Sequence, residues 1–181
     1  MSNLEEQVAQ LQTQLDAMKN QTPSNKLSMI VFSGDLDKAL ASFIIATGAT
    51  AMGMDVVMFF TFWGTPVLRA GNKNVGGKDM MGTMFGTMLP KGADKVKLSN
   101  MNMAGMGTAM MKSLMKKKNV ASLGEMVALA EELGVKIYVC EMSMDLMGFK
   151  REEMIDYEGL DFAGVATFLE EAKDSRVQLF I

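Results

Sequence analysis

Residues 136–148, KIYVCEMSMDLMG, form the stretch on which the fold prediction depends. The stretch begins with residues 137–139 (IYV), which are β-branched or aromatic and therefore favour a strand. The run ends at Cys140, the only cysteine in the chain. Ser143 follows and is predicted to cap a new helix, because its hydroxyl can accept a hydrogen bond from the first helical turn. A strand that leads directly into a helix is typical of an open α/β sheet, which places its chemistry at the carboxyl ends of its strands.

Apolar runs elsewhere in the chain predict further strands, with helices between them. Strands are expected at residues 26–33 (KLSMIVFS), 55–62 (DVVMFFTF), 96–98 (VKL) and 177–181 (VQLFI). Helical spacing of apolar residues predicts one helix that begins at Leu36, after Asp35 as its N-cap, and others at 79–89, 106–118, 122–133 and 162–172. Ser122 and Glu125 have the spacing of a capping box, and Gly53 lies where the first helix should end. This alternation predicts an α/β sandwich with a mostly parallel sheet.

The N-terminal segment has a different pattern, a heptad repeat. Its apolar positions alternate four and three residues apart, at Leu4, Val8, Leu11, Leu15 and Met18. We therefore expect an amphipathic or coiled-coil helix over residues 1–20, a polar linker over 21–25 and one α/β domain over 26–181. The helix favours self-association as a homo-oligomer, and the alternative is that it packs its apolar stripe on its own domain.

The composition of the 181 residues excludes several classes of function. A formal net charge of −3 gives no reason to expect nucleic acid as a partner. There is no histidine and one cysteine, so a metal site and histidine-dependent catalysis are not expected. No phosphate-binding fingerprint is present, and no cofactor is predicted. No run approaches the ~20 apolar residues of a membrane span. An acidic N-terminus that does not resemble a signal peptide, together with a single unpaired thiol, predicts the cytoplasm.

Methionine is concentrated in the middle of the chain, where ten of the 21 methionines lie between Met80 and Met115. One interpretation is an adaptable core and subunit interface, since methionine fills irregular gaps. Another is a lid that binds a partner protein or a membrane surface. A third is a copper(I) site formed by thioethers of Met101, Met103 and Met106.

The thiol of Cys140 is the candidate for chemistry. A cysteine nucleophile must be a thiolate, and a free thiol has a pKa of about 8.5. A helix that begins near Ser143 is expected to lower this pKa, whereas a nearby Glu141 carboxylate would raise it. No second cysteine is available for an internal dithiol cycle, so the remaining cycle carries one sulfur atom as a persulfide. The alternative is a buried structural cysteine.

Three blocks of the sequence resemble the DsrE/DsrF/DsrH-like sulfurtransferases, and in particular the stand-alone DsrE subgroup. They are VCEMSMDLMG with the preceding LGVKIY, the opening KLSMIVFSGDLDKALASFIIATGATAMGMDVVMFFTFWG, and KLSNMNMAGMGTAMM. The resemblance covers about residues 26–181. It implies a flavodoxin-like three-layer sandwich with five strands, oligomeric assembly, sulfur relay through Cys140, and TusA-like or rhodanese-like sulfur carriers as partners.

The sequence therefore predicts a sulfurtransferase or sulfur carrier that works by persulfide exchange on Cys140. Whether the chain is an enzyme or only a carrier stays open, and the alternative function is an oligomeric binding or scaffold module with a structural cysteine. The pocket around the sulfur is expected to be formed by residues of its own loop and of the first two strand ends, namely Met142, Ser143, Met144, Ser33, Gly34, Asp35, Trp63 and Gly64.

Overall fold

A computed structural model describes residues 6–14, 23–73 and 75–181. Its centre is one sheet of five parallel strands in the order β4-β3-β2-β1-β5. The strands are β1 (Ser24–Val31), β2 (Asp55–Phe60), β3 (Lys136–Cys140), β4 (Leu160–Ala163) and β5 (Ser175–Phe180). The α/β prediction is confirmed, and the sheet is parallel throughout.

Helices cover both faces of the sheet. The helices in the described residues are α1 (residues 6–14), α2 (Leu36–Ala51), α3 (Met80–Met88), α4 (Met106–Lys117), α5 (Leu123–Glu132), α6 (Glu141–Met147) and α7 (Val165–Lys173), and α1 is exposed on all its side chains. Short 3₁₀ helices lie at Phe62–Leu68, Ala93–Lys95, Met103–Gly105 and Arg151–Glu153. None of the described helices is long and apolar enough to cross a membrane.

The two faces of the sheet are covered unequally. In the sheet, β2, β3 and β4 lie one after another on the same side of β1. Right-handed crossovers therefore place the helices that connect these strands on one face. The main core lies there and includes Phe43 of α2, Ala130 of α5 and Met144 of α6. The connection from β4 crosses the sheet in the opposite direction to β5, on the far side of β1, and therefore places α7 on the other face. Among the described helices, only α7 contributes to the smaller core of that face, through Phe168 and Ala172.

The predicted strand at residues 96–98 is wrong, although its buried Val96 gives it the pattern of one. Its backbone groups bond to helices instead of a neighbouring strand. The carbonyl of Lys97 accepts the Leu36 N–H at the start of α2, at 2.8 Å. The Leu98 N–H donates to Thr108 Oγ1 of α4, at 3.0 Å.

The fifth strand is instead β4, which the sequence analysis assigned partly to a helix at 162–172. Phe162 pairs with Val139 and Ala163 pairs with Cys140 in the parallel register of β3 and β4. The helix begins only at Val165, after Gly164 as its N-cap. The sheet also begins earlier than predicted, because Ser24 and Asn25, assigned to the linker, are the first residues of β1.

Two predicted helix ends are confirmed. The Ser122 hydroxyl accepts the Glu125 N–H at 3.3 Å, and the Glu125 carboxylate accepts the Ser122 N–H at 2.7 Å, which completes the capping box of α5. Gly53 follows α2 with a positive φ of 75°, the left-handed conformation that glycine adopts at low cost.

The N-terminal heptad pattern is described in part. Residues 6–14 are helical, and every side chain in this range is exposed, including Val8 and Leu11. Leu4, Leu15 and Met18 lie outside the described residues. Self-association through this helix therefore stays a prediction.

The methionine-rich helix α3 contacts a buried charge cluster, and all four of its methionines are exposed. Met80 is 84% exposed and Met88 is 76% exposed. Arg69 donates to the carbonyl of Gly86 at 3.1 Å, near the C-terminal end of α3. The Glu153 carboxylate, with a side chain that is 4% exposed, pairs with both Arg69 and Lys78.

This pairing determines the charge state of Glu153. Burial raises its pKa, but the hydrogen bonds from the Lys78 ammonium and from the Lys150 N–H, together with the charges of Lys78 and Arg69, outweigh burial and hold the pKa below its ordinary value of 4.5. The carboxylate is therefore ionised at neutral pH and neutralises one of the two buried cations.

Candidate functional site

Cys140 is the last residue of β3, and its thiol is directed to the α7 face of the sheet. Side chains alternate along a strand, so Tyr138 and Cys140 belong to the smaller core, whereas Ile137 and Val139 belong to the main one. Cys140 is only 3% exposed. The other buried members of its cluster are Val57, Phe59, Tyr138, Ala163, Phe168 and Ala172. The sulfur atom thus lies in an apolar environment that α7 closes.

The predicted cap at Ser143 is wrong, because α6 begins at Glu141, immediately after Cys140. Ser143 lies inside the helix and is fully buried. Its hydroxyl shares a hydrogen bond with the Thr61 hydroxyl at 2.9 Å and accepts the Phe62 N–H at 3.0 Å. Phe62 has a φ of 44°, which is unfavourable for a bulky residue. Ser143 therefore stabilises the loop that follows β2. That strand ends at Phe60, two residues before its predicted end.

Four of the predicted pocket residues line one groove of about 770 Å³ at the carboxyl end of β1, together with Phe32, Pro66 and Leu89. They are Ser33, Gly34, Asp35 and Trp63. We call this cavity the β1 groove. Its floor is fixed by a close backbone contact, since a Cβ atom on Gly34 would lie 2.0 Å from the carbonyl oxygen of Trp63. Gly64 is buried and does not line the groove, and a Cβ atom on it would lie 2.2 Å from the Val31 carbonyl oxygen.

Asp35 occupies the N-cap position of α2, as predicted, but its side chain makes no capping hydrogen bond. The carboxylate instead accepts hydrogen bonds from the Ser33 hydroxyl and the Lys38 ammonium, each at 2.9 Å. The carboxyl group thereby ties the end of β1 to the first turn of α2.

The structure does not bring the remaining predicted residues together around the sulfur. Met142 is 59% exposed on α6, and Met144 is buried in the main core on the face opposite Cys140. Cys140 is not among the residues that line the β1 groove. The expectation of one shared pocket is therefore corrected. All the strand ends lie at one edge of the sheet, but the alternation of β3 directs the thiol to the α7 face.

Sequence reasoning missed the residues that hold α7 over the thiol. Glu171, in the last part of α7, accepts hydrogen bonds from Lys26 of β1, from Lys136 of β3 at 3.3 Å and from the Tyr138 hydroxyl at 3.2 Å. Phe168 stacks on Phe59, with ring centroids 5.1 Å apart. The spacing of Phe168 within an apolar helix face was visible in the sequence. The role of Glu171 was not, because its partners lie on two distant strands.

The Glu171 anchor is charged at neutral pH. The hydrogen bond from Lys26 is the largest influence and lowers the pKa of Glu171 below its ordinary value of 4.5, against the opposing effect of burial. The hydrogen bond that Lys136 donates to Glu171 raises the pKa of Lys136 above its ordinary value of 10.5. In contrast, the first turn of α7 carries no comparable anchor in the described structure, since Val165 is 59% exposed and Gly164 has open space around it.

These features define a class of protein, a flavodoxin-like α/β domain with a parallel five-stranded sheet and one free cysteine at the end of its third strand. The profile of the DsrE/DsrF/DrsH-like family matches residues 23–180, and the chain belongs to this family.

Similar proteins agree with this assignment. The chain is 46% identical over 158 residues to the uncharacterized protein YrkE of Bacillus subtilis, a match that covers 87% of this chain and 98% of YrkE. It is 40% identical over 161 residues to the sulfur carrier protein DsrE2 of Allochromatium vinosum, with 86% of this chain and 98% of DsrE2 covered. The crystal structure of YchN from E. coli aligns with a TM-score of 0.53 over 86% of this chain and 98% of YchN. At 9% identity, that last likeness supports the fold alone.

Proposed function

We propose that this protein is a sulfur carrier that holds sulfane sulfur as a persulfide on Cys140 and delivers it to a thiol of a partner protein. The observation that carries the proposal is the position of the only cysteine of the chain, at the carboxyl end of β3 inside the matched family region. The 40% identity to a protein named as a sulfur carrier supports the same role. Partners of the TusA-like or rhodanese-like kind, and assembly as a homo-oligomer, belong to this proposal.

The proposed reaction needs no external oxidant. The Cys140 thiolate attacks the outer sulfur of a persulfide donor, a new S–S bond forms on Cys140, the donor's S–S bond breaks, and the donor leaves as a thiolate. In the second step the partner's thiolate attacks the outer sulfur on Cys140. The partner then carries the persulfide, and the Cys140 thiolate is regenerated.

The burial of Cys140 adds a structural requirement to this reaction. At 3% exposure the thiol is not reachable by a donor in the described conformation, so transfer requires an opening of its cover. The cover is α7, which is anchored through Glu171 near its C-terminal end and has an exposed first turn. We infer that α7 moves away from the sheet when the Glu171 contacts break, which opens a path to the sulfur.

The test is the intact mass of the protein after incubation with glutathione persulfide. The wild type should gain the mass of one or more sulfur atoms and lose it again with dithiothreitol. Cys140→Ala should gain nothing, and it suits the apolar cluster better than serine, whose buried hydroxyl would lack a partner. Protein alkylated at Cys140 under denaturing conditions and refolded is the second negative control. If the native wild type takes up no sulfur from any persulfide donor, the carrier mechanism is wrong.

The burial of Cys140 also favours a second candidate, an oligomeric scaffold with a structural cysteine. This alternative predicts that partner capture is the same for the wild type and for Cys140→Ala, and that neither takes up sulfur. The carrier proposal predicts that Cys140→Ala still assembles but no longer passes sulfur to a partner thiol. One pair of variants therefore separates the two functions.

A further inference from the structure

The loops after β1 and β2 line the β1 groove, and β1 is the strand at which the order of the sheet changes direction. Strands β2, β3 and β4 are added on one side of β1, and β5 is added on the other. In open parallel sheets, small ligands bind outside the carboxyl ends of the strands at such a point. The groove volume of about 770 Å³ is within the usual range for small-molecule sites.

The charge of the groove is opposite to the charge of the chain. Its lining contains four lysines, Lys38, Lys91, Lys95 and Lys97, and one acidic residue, Asp35. The lining thus contains more basic than acidic side chains, whereas the whole chain has a formal net charge of −3. A concave surface of one sign concentrates ligands of the opposite sign.

Two of these lysines are positioned by the backbone. Val96, between Lys95 and Lys97, is only 1% exposed, and the Lys97 carbonyl is hydrogen-bonded to α2. Both lysines are exposed and line the groove. Residues 95–97 therefore have a backbone that is fixed by Val96 and by α2, and this backbone positions the two ammonium groups at the groove.

The other walls are apolar and aromatic. Trp63 is 49% exposed, and Phe32, Pro66 and Leu89 line the groove with it. An exposed indole beside a basic surface offers a flat ring to stack upon, while the lysines provide point charges for a phosphate group. A ligand that uses both walls must combine a planar ring with a multiply charged anionic group.

We propose that the β1 groove binds a nucleoside monophosphate, with its base against Trp63 and its phosphate near Lys95 and Lys97. This site is separate from the thiol, because Cys140 lies in the cluster under α7 and does not line the groove. The ligand is thus not the sulfur donor, and the proposal does not depend on sulfur transfer. The backbone N–H groups of Phe32 and Ser33 already donate to Ile181, so the side chains of the groove supply the contacts.

The chain contains an internal reporter for this test, since Trp63 is its only tryptophan. The full-length protein is titrated with AMP, adenosine, inorganic phosphate and thiosulfate, with intrinsic fluorescence and calorimetry as readouts. AMP should give a saturable change. Adenosine and phosphate should each bind at least about tenfold more weakly, because adenosine lacks the phosphate contacts and phosphate lacks the ring contacts. Added salt should weaken AMP binding.

The matched variants carry the same change of charge at two places. Lys95→Gln with Lys97→Gln should weaken AMP binding at least about tenfold, since both changes remove charge-assisted hydrogen bonds to the phosphate. Lys116→Gln with Lys117→Gln on α4, whose lysines are exposed outside the groove, should leave it unchanged. The proposal is overturned if AMP gives no saturable signal, if both double variants behave alike, or if phosphate or thiosulfate binds as tightly as AMP.

Discussion

Glu171→Gln should make Cys140 more reactive without touching it. The substitution keeps the size of the side chain but removes the charge that Lys26 and Lys136 neutralise. A hydrogen bond to a charged group contributes ~1.5–3 kcal/mol and a neutral one ~0.5–1.5 kcal/mol, so the anchor of α7 should lose about 1–2 kcal/mol. If α7 must move to admit a reagent, the open fraction rises roughly 5–30-fold.

The assay is the rate at which a thiol reagent labels native Cys140, at reagent concentrations where the rate follows the opening equilibrium. Glu170→Gln is the matched control, because Glu170 is the exposed neighbour of Glu171 in the same helix and undergoes the same change of charge. Urea unfolding of each variant separates local opening from global unfolding. The reasoning is refuted if the two variants label at equal rates. It is equally refuted if the native wild type labels as fast as the denatured chain.

Three further substitutions or deletions test the framework. Glu153→Gln leaves Arg69 and Lys78 buried without their carboxylate, so the free energy of unfolding should fall by about 3–5 kcal/mol. Calorimetry should then show a Tm that is lower by roughly 6–20 °C, and substitution of the exposed Glu152 by Gln is the control. Because the pKa of Glu153 is lowered, its contribution in the wild type should be complete above about pH 4.5 and be lost as the pH falls through the lowered pKa. Ser143→Ala removes the partner of the buried Thr61 hydroxyl and the acceptor of the Phe62 N–H, so it should lower the free energy of unfolding in urea by about 1–3 kcal/mol. No measurable loss would contradict the role assigned to the Ser143 hydroxyl. Deletion of residues 1–22 should leave a folded domain of lower oligomeric order in light scattering, and a full-length monomer would contradict self-association.

Local signals in the sequence predicted most of the fold. Two of these signals depend on a few neighbouring residues, namely the capping box of Ser122 and Glu125 and the glycine after α2. Both are confirmed. The errors arose where two structures share one local pattern. Residues 96–98 alternate like a strand, yet their backbone bonds to α2 and α4. Strand β4 has only four residues, and its apolar positions continue those of α7, so a single helix fitted both.

The site was harder to predict than the fold, because it depends on long-range geometry. The sequence located Cys140 at a strand end, and the period of two places it on the face opposite Val139. The strand order reverses after β4, and this reversal places α7 over the face that carries Cys140. No local sequence pattern predicts the reversal. Glu171 joins α7 to two strands and was not predicted for the same reason.

The topology gives the two faces different capacities for movement. The main face is covered by several helices whose side chains form one continuous core, and displacing any of them would expose many buried residues. The α7 face has one described helix of nine residues, which buries only Phe168 and Ala172. Opening that helix uncovers the seven buried residues of the smaller core, far fewer than the main core contains, so its cost is smaller than that of global unfolding. Under the proposed carrier function, a thiol under α7 would be protected between transfers and reached during them, whereas the β1 groove is open to small anions in the described structure.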